Sequence, residues 1–262
     1  MPSDKILMRK EGAVGHLIVN NPERHNAISL DMWSAAGEIL ADLAGDPAIR
    51  AVVLSGAGGR AFASGADISK FESERASQEA VEAYNKQTHR VHEALATLAK
   101  PTIAMIRGYC IGGGLALALD CDMRIASDVS KFGVPAAKLG LGYGHGGIRR
   151  LIDLVGPAVA KEIFFTDKQF TAGEAHAMGL INRVVADGEL EIFVADYAKR
   201  IAENAPLTIA QIKRTVAELM KDPADRDLAL CDRLVADCFA SQDYVEGRRA
   251  FMEKRKPAFV GR

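Results

Sequence analysis

Ile111-Gly112-Gly113-Gly114 and, upstream of it, Ser64-Gly65-Ala66-Asp67 are the segments on which the reading of this chain turns. Each follows a run of strand type and opens into a helical pattern, and each places glycine where backbone must approach something closely. Spacing alone leaves two readings open. The segments are tight turns that need glycine for steric reasons, or their free N–H groups, those of Ala66 and Gly113, converge on one cleft. In the second case two backbone donors and the positive ends of two helices would hold an oxygen that gains negative charge.

Outward from these loops, short runs rich in Ile and Val and bounded by Gly, Asp or Pro predict strands at 6–9, 15–20, 51–54, 102–106 and 123–126. Helical patterns lie between them at 30–44, with Ser29 as N-cap, and at 79–99, ending before Pro101. From about Pro157 the signal turns helical only: 157–165, 171–178, 189–204, 206–220, 225–240 and 242–253. An α/β core over residues 1–200 followed by a helical region over 201–262 is expected. The apolar faces of that region have to pack on the core or on another copy of the chain, so an oligomer is expected too.

The 262 residues are 48% apolar and 26% charged, as in an ordinary globular protein, and a formal net charge of −1 provides no field to collect nucleic acid or anionic lipid. Cys110, Cys121, Cys231 and Cys238 form no Cys-x-x-Cys pair and have no histidine at zinc spacing, which argues against a metal site. Cys231 and Cys238, two helical turns apart, fit one buried helix face. The opening residues start no apolar signal region, and nowhere do about 18 apolar residues run together. A cytoplasmic, reduced protein is the expectation. Gly142-Tyr143-Gly144-His145-Gly146-Gly147 satisfies G-x-G-x-x-G with Glu162 about twenty residues on, but it follows no confident strand, so a dinucleotide site is not expected. The basic stretch from Arg248 to Lys256 fits either a phosphorylated ligand or a solvated terminus.

Several further segments bear on the choice between the two loop readings. Asn21-Pro22-Glu23-Arg24-His25-Asn26-Ala27-Ile28, Phe62-Ala63-Ser64-Gly65-Ala66-Asp67-Ile68, Lys100-Pro101-Thr102-Ile103-Ala104 through Gly108 to Gly114, Ala172-Gly173-Glu174-Ala175, Gly179-Leu180-Ile181-Asn182 and Val184-Val185 occur in this order. With them, over nearly its whole length, the chain resembles the enoyl-CoA hydratase/isomerase, or crotonase, superfamily. The resemblance implies an α/β fold with a core of repeated ββα turns, a C-terminal helical region that trimerises, and an acyl-CoA thioester bound between them, with no separate cofactor. It also implies a homotrimer or a dimer of trimers. Carried over by position, Ala66 and Gly113 supply the oxyanion N–H groups. Ala27, Ala63, Asp67 and Ile68 line the CoA path, Arg24 approaches a CoA phosphate, and Phe251 and Lys254 are candidates to reach CoA from a neighbouring subunit.

Adding water across a double bond conjugated to a thioester needs one group to take a proton from water and another to protonate the α-carbon. Where hydratases of this family carry two glutamates, this chain has Ala116 and Ala136. Alanine transfers no proton, and losing a general acid or base typically costs a factor of about 10² to 10⁴. Conventional hydration is therefore expected to be weak, while a backbone oxyanion hole survives. Replacement groups are offered by Tyr143, which could hydrogen-bond a departing carboxylate or a carbonyl or simply close the acyl pocket, and by His145, which could titrate near neutral pH or be a solvated loop residue. Asp120 shares a helix face with Ala116 and reads as a substitute acid or as a surface or structural carboxylate near the helix end; Asp122 reads as structural. Three functions follow: an acyl-CoA enzyme working through a thioester enolate, a decarboxylase of malonyl-type CoA, and an acyl-CoA binder without turnover.

Overall fold

The computed structural model describes residues 4–70 and 76–262. A hairpin of β1 (Ile6–Glu11) and β2 (Val14–Val19) opens the chain, and α1 (Leu30–Gly45) follows it. Three units of two strands then come in succession. The strands β3 (Ala51–Gly56) and β4 (Ala61–Ala63) precede α2 (Gln78–Ala96), and β5 (Thr102–Ile106) and β6 (Tyr109–Ile111) precede α3 (Gly113–Leu119). In the third, β7 (Met123–Ser127) and β8 (Lys131–Gly133) precede α4 (His145–Phe165). The first strand of each unit joins a six-stranded sheet ordered β1-β2-β3-β5-β7-β10, parallel except for the β1–β2 hairpin. The second joins a smaller sheet ordered β4-β6-β8-β9. This is the expected ββα repeat, and it sets β4 and β6, each leading into a glycine loop, side by side and parallel.

Why β3 reads as Ala-Val-Val-Leu without alternation is plain from its surroundings. Successive side chains point to opposite faces, and both faces are covered. Val52 and Leu54 join the large core shared with α1, α3 and the small sheet, whereas Val53, with Ile103 and Ile125, packs under Leu190, Val194 and Ala198 of α6 (Leu190–Ala202).

The structure departs from expectation in three places. The region after Pro157 is not purely helical: β9 (Phe170–Thr171) and β10 (Arg183–Val185) extend the two sheets, with α5 (Ala172–Ala177) between them. Strands of two or three residues leave no periodicity to read. The helix expected at 157–165 is the second half of α4, which begins at His145 and breaks at Gly156, whose φ of 75° and ψ of 167° are not helical. Pro157 has no N–H to continue the ladder, so it starts the second half well. Ser29 occupies the N-cap of α1 in extended conformation, but its hydroxyl donates to Asp31 instead of accepting a cap bond.

The chain ends in α7 (Pro206–Leu219), α8 (Leu228–Ala240) and α9 (Gln242–Met252). Cys231 on α8 is buried and Cys238 half-buried. Lys213 of α7 ties this region to the core by donating to the Lys100 carbonyl at 3.0 Å and to Asp122 Oδ2 at 2.7 Å. The same Asp122 oxygen accepts the Thr102 N–H at 2.7 Å, so this carboxylate joins β5, the start of β7 and α7. The terminal segment folds back: Glu246 accepts from Arg255 and from the Ala258 N–H, and Asp243 accepts from the N–H groups of Val260 and Gly261. Arg249 and Arg255, two cations of the basic stretch, are thereby engaged by Glu246 inside the chain. Among the described residues no helix is long and apolar enough to cross a membrane, and no three His, Cys, Asp or Glu side chains gather as metal ligands would.

Candidate active site

The two glycine loops meet. Gly65, with φ of 103°, adopts a backbone conformation that other residues rarely tolerate, and a Cβ added to it would lie 3.3 Å from the Gly113 nitrogen. One added to Gly113 would lie 3.7 Å from the Ala66 nitrogen. Ile28 fixes the first loop: its N–H donates to the Gly65 carbonyl at 2.8 Å, and its carbonyl accepts the Asp67 N–H at 3.0 Å. In such a parallel bridge the intervening residue turns its own N–H the other way. The Ala66 N–H has no acceptor among the described residues, nor does that of Gly113, which as the first residue of α3 has no carbonyl one turn earlier to bond. Two unpaired donors thus stand at the junction of the loops, one of them at a helix N-terminus.

The second loop is tied to the last residue of β8. Gly112 donates to the Gly133 carbonyl at 2.8 Å, and Ala136 lies three residues farther on, buried at the edge of a cavity of about 360 Å³. The break at Gly156 makes this cavity: Ile148 and Ile152 on the first half of α4 face Ala160 and Phe164 on the second. Its lining residues are apolar except for Lys161 and Tyr143. The Tyr143 ring meets Phe164 edge-on at 4.9 Å between centroids, and its hydroxyl has no hydrogen-bond partner among the described residues. Burial, and secondarily the negative charge of Asp120, push the phenol up to about 12.

The fold agrees with what the whole chain matches. The profile of the Enoyl-CoA hydratase/isomerase family covers residues 9–262. The chain belongs to this family. It is 35% identical to the crotonyl-CoA hydratase of Syntrophomonas wolfei over 262 residues, all of both chains. It is 34% identical to the short-chain-enoyl-CoA hydratase of Clostridium acetobutylicum over 258 residues, 98% of this chain and 97% of the relative. Among solved structures, an enoyl-CoA hydratase/carnithine racemase from Magnetospirillum magneticum superposes with a TM-score of 0.92 at 38% identity, covering 99% of this chain and 97% of the other.

Within this family framework the sequence-predicted residues fall into separate groups. Ala66, Ala136 and Tyr143 contact one continuous core that includes Leu115 of α3, and Ala116 follows on the same helix, half-buried. Ala27 and Ala63 are buried, Ala63 packed directly beneath Gly114. Asp67 is buried too, and one of its carboxylate oxygens accepts from both the N–H and the hydroxyl of Ser69. Ile68 and Arg24 are exposed near the first loop. His145 is the exposed first residue of α4 and does not line the cavity that holds Tyr143. Phe251 lines a different groove, of about 580 Å³ between α7, α8 and α9, and Lys254 lies just beyond it.

Asp120 is not at the surface. It caps the C-terminal end of α3 with its side chain wholly enclosed, one oxygen bound to His92 Nδ1 and the other to Arg150. His92 on α2 was not among the candidates, because nothing in the helical pattern separates it from His89, which is exposed beside Glu93. The available signal is Asp120 itself: a carboxylate that ends the apolar run Leu115-Ala116-Leu117-Ala118-Leu119 needs cationic or hydrogen-bonding partners from other elements.

Proposed function

We propose that the chain is an acyl-CoA enzyme that binds a thioester with its carbonyl oxygen between the N–H groups of Ala66 and Gly113 and stabilises the enolate formed there. The observation that carries this is the pair of unpaired donors at the meeting of the two loops. Donors fixed in advance at the site of developing charge cost no reorganisation as the reaction proceeds. CoA would run past Arg24, Ala27, Ala63, Asp67 and Ile68. The helical region over 201–262 would pack on the core and on neighbouring subunits in a homotrimer or dimer of trimers, bringing Phe251 and Lys254 to a neighbour's CoA. Phe251, Met252, Phe239 and Val245 are exposed in the single chain, as such packing requires.

On the reading that Ala116 and Ala136 stand where hydratases of the family carry glutamates, hydration of crotonyl-CoA should be slow. One observation favours decarboxylation of a malonyl-type CoA as a second reading: the apolar wall around Ala136 includes Tyr143, whose hydroxyl has no hydrogen-bond partner among the described residues. An apolar wall desolvates a carboxylate, and loss of carbon dioxide leaves the enolate without any base at the α-carbon. Tyr143 would orient that carboxylate. His145, exposed on the neighbouring turn, would serve only if the loop moved.

Incubation with crotonyl-CoA, a 3-enoyl-CoA and methylmalonyl-CoA, followed by mass spectrometry beside a direct CoA-binding measurement, separates these readings. Rapid hydration of crotonyl-CoA overturns the importance given to the two alanines. Carbon dioxide release that falls in Tyr143→Phe supports the second reading. Binding with no product identifies an acyl-CoA binder.

A further inference from the structure

Ala66 belongs to neither sheet: β4 ends at Ala63, and the next short turn begins at Ile68. Its N–H is part of the peptide that joins it to Gly65. That peptide is planar and trans, so its C=O and N–H point opposite ways. The Ile28 N–H holds the carbonyl, and the Ala66 donor faces away. The direction of this oxyanion donor therefore depends on where Ile28 stands.

Ile28 ends a loop, residues 21–28, that Asn26 ties to the turn between β3 and β4. Asn26 is wholly buried and has a φ of 57°, in the left-handed region that asparagine tolerates better than most residues. Its Nδ2 donates to the carbonyls of Ala57 at 3.0 Å and Ala61 at 2.6 Å, and its Oδ1 accepts the Asn21 N–H at 2.9 Å. Both donors of the amide and its oxygen are thus engaged. Asn21, buried as well, donates from Nδ2 to the Ala27 carbonyl at 2.8 Å. A Cβ added to Gly56 would lie 2.6 Å from Asn26 Nδ2, so the glycine that ends β3 leaves room for the amide. Backbone bonds carry this placement to the first glycine loop, from the Ser64 N–H to the His25 carbonyl at 3.1 Å and from the Ile28 N–H to the Gly65 carbonyl at 2.8 Å.

We propose that Asn26 is a positioning residue: by fixing the 21–28 loop against the β3–β4 turn it sets the direction of the Ala66 N–H without touching the thioester. This rests on the acyl-CoA reading above and deepens it. A hydrogen bond weakens steeply once its angle falls below about 120°, so a rotation of the 65–66 peptide loses the donor while the fold survives. Gly113 is held separately, by α3 and by the bond from Gly112 to Gly133.

The test is independent of the natural substrate. Acetoacetyl-CoA gives up its C2 proton to solvent and becomes an enolate with its own near-ultraviolet absorbance. The ratio of enolate to keto form, read at fixed pH with all ligand bound, reports the oxyanion donors; butyryl-CoA, which stays neutral, reports binding. The unaltered protein should raise the ratio above its value in buffer. Asn26→Gly suits the left-handed backbone and removes the amide. In it the ratio should fall about tenfold, the size of one weakened hydrogen bond to a charged group, while the Kd of butyryl-CoA stays within a few-fold. If Asn26→Gly does not fold, Asn26→Asp, which keeps the acceptor for Asn21 and loses both donors, carries the test. A ratio equal to that of the unaltered protein overturns the positioning role and leaves the acyl-CoA reading intact. So does weaker binding of both thioesters at an unchanged ratio, which is what a merely structural residue gives. No rise over buffer in the unaltered protein, or no binding of either thioester, overturns the acyl-CoA reading and the positioning role with it.

Discussion

Ile28 and Ala66 form an isolated parallel bridge in which both hydrogen bonds of Ile28 go to the neighbours of Ala66, leaving the Ala66 N–H directed away from Ile28. The donor is backbone, so most side-chain changes at this position would leave it in place. Proline removes it and leaves the carbonyl. Ala66→Pro should lower turnover of whichever thioester proves to be the substrate by about 10² to 10³, the usual effect of losing one oxyanion donor. CoA binding, measured calorimetrically, should stay within a few-fold. Turnover close to that of the unaltered protein would remove Ala66 from the site.

Gly114 and Gly173 should respond to alanine in opposite directions. A Cβ on Gly114 would sit 2.0 Å from the Ala63 carbonyl oxygen and 2.6 Å from its carbon, backbone atoms that cannot rotate aside. Gly114→Ala has to separate α3 from β4 and should lower stability by about 1–3 kcal/mol. Gly173 is exposed on α5 with nothing within 4 Å of an added Cβ. There alanine should raise stability by about 0.5–1 kcal/mol, because it restricts the unfolded chain. Urea unfolding of the two variants reads both signs.

Tyr143 should be late among the tyrosines to ionise. Its phenol is raised from 10.0 to about 12, first by burial and then by the charge of Asp120. In the unfolded chain it ionises near its ordinary value, so its contribution to stability is complete below pH 10.0 and is lost as pH rises through about 12. An alkaline titration followed by ultraviolet difference absorbance should show a step near pH 12 that is missing in Tyr143→Phe. Any decarboxylase activity should then show no alkaline limb below about pH 11 that Tyr143→Phe abolishes. A Tyr143 step near pH 10 would mean that the hydroxyl is open to water.

How much of this was legible in the sequence depended on element length and on whether a signal is local. The strands at 51–54, 102–106 and 123–126 showed because each is rich in apolar residues and largely buried on both faces. Their partners β4, β6 and β8 are three residues each, too short for any pattern; β4 and β6 were implied through the glycine loops they lead into, and the ββα repeat as a whole only through the family resemblance. The loops themselves were visible as glycine, but their meeting depends on the pairing of β4 with β6, which no local spacing encodes. The cavity was hidden for a similar reason. It exists because Gly156 folds α4 on itself, and a glycine before a proline looks like the start of a new helix, which is half of what it is. Asp120 appeared as a choice between substitute acid and surface carboxylate because its partners, His92 and Arg150, come from 28 residues before and 30 after.

Glu174 ties acid stability to one helix cap. Its carboxylate accepts from Lys168 Nζ at 2.7 Å and from the N–H and hydroxyl of Thr171 at 2.8 and 2.9 Å, while the Thr171 hydroxyl accepts the Glu174 N–H, so the capping box at the start of α5 is complete. Lys168 first, and Thr171 next, depress the carboxyl from 4.5 to about 2. A depressed acid contributes stability that is fully present above its unfolded value and disappears as pH falls through its folded one. The window is therefore from about pH 4.5 down to about pH 2. Glu174→Gln keeps an acceptor for Thr171 but carries no charge, so it should be less stable than the unaltered protein at pH 7 and the gap should close across that window. Because the pair with Lys168 is about half exposed, salt should shrink the gap as well. Urea unfolding at a series of pH values, with and without added salt, checks both. A gap that stays constant down to pH 2 would show that the Glu174 charge does not stabilise the cap.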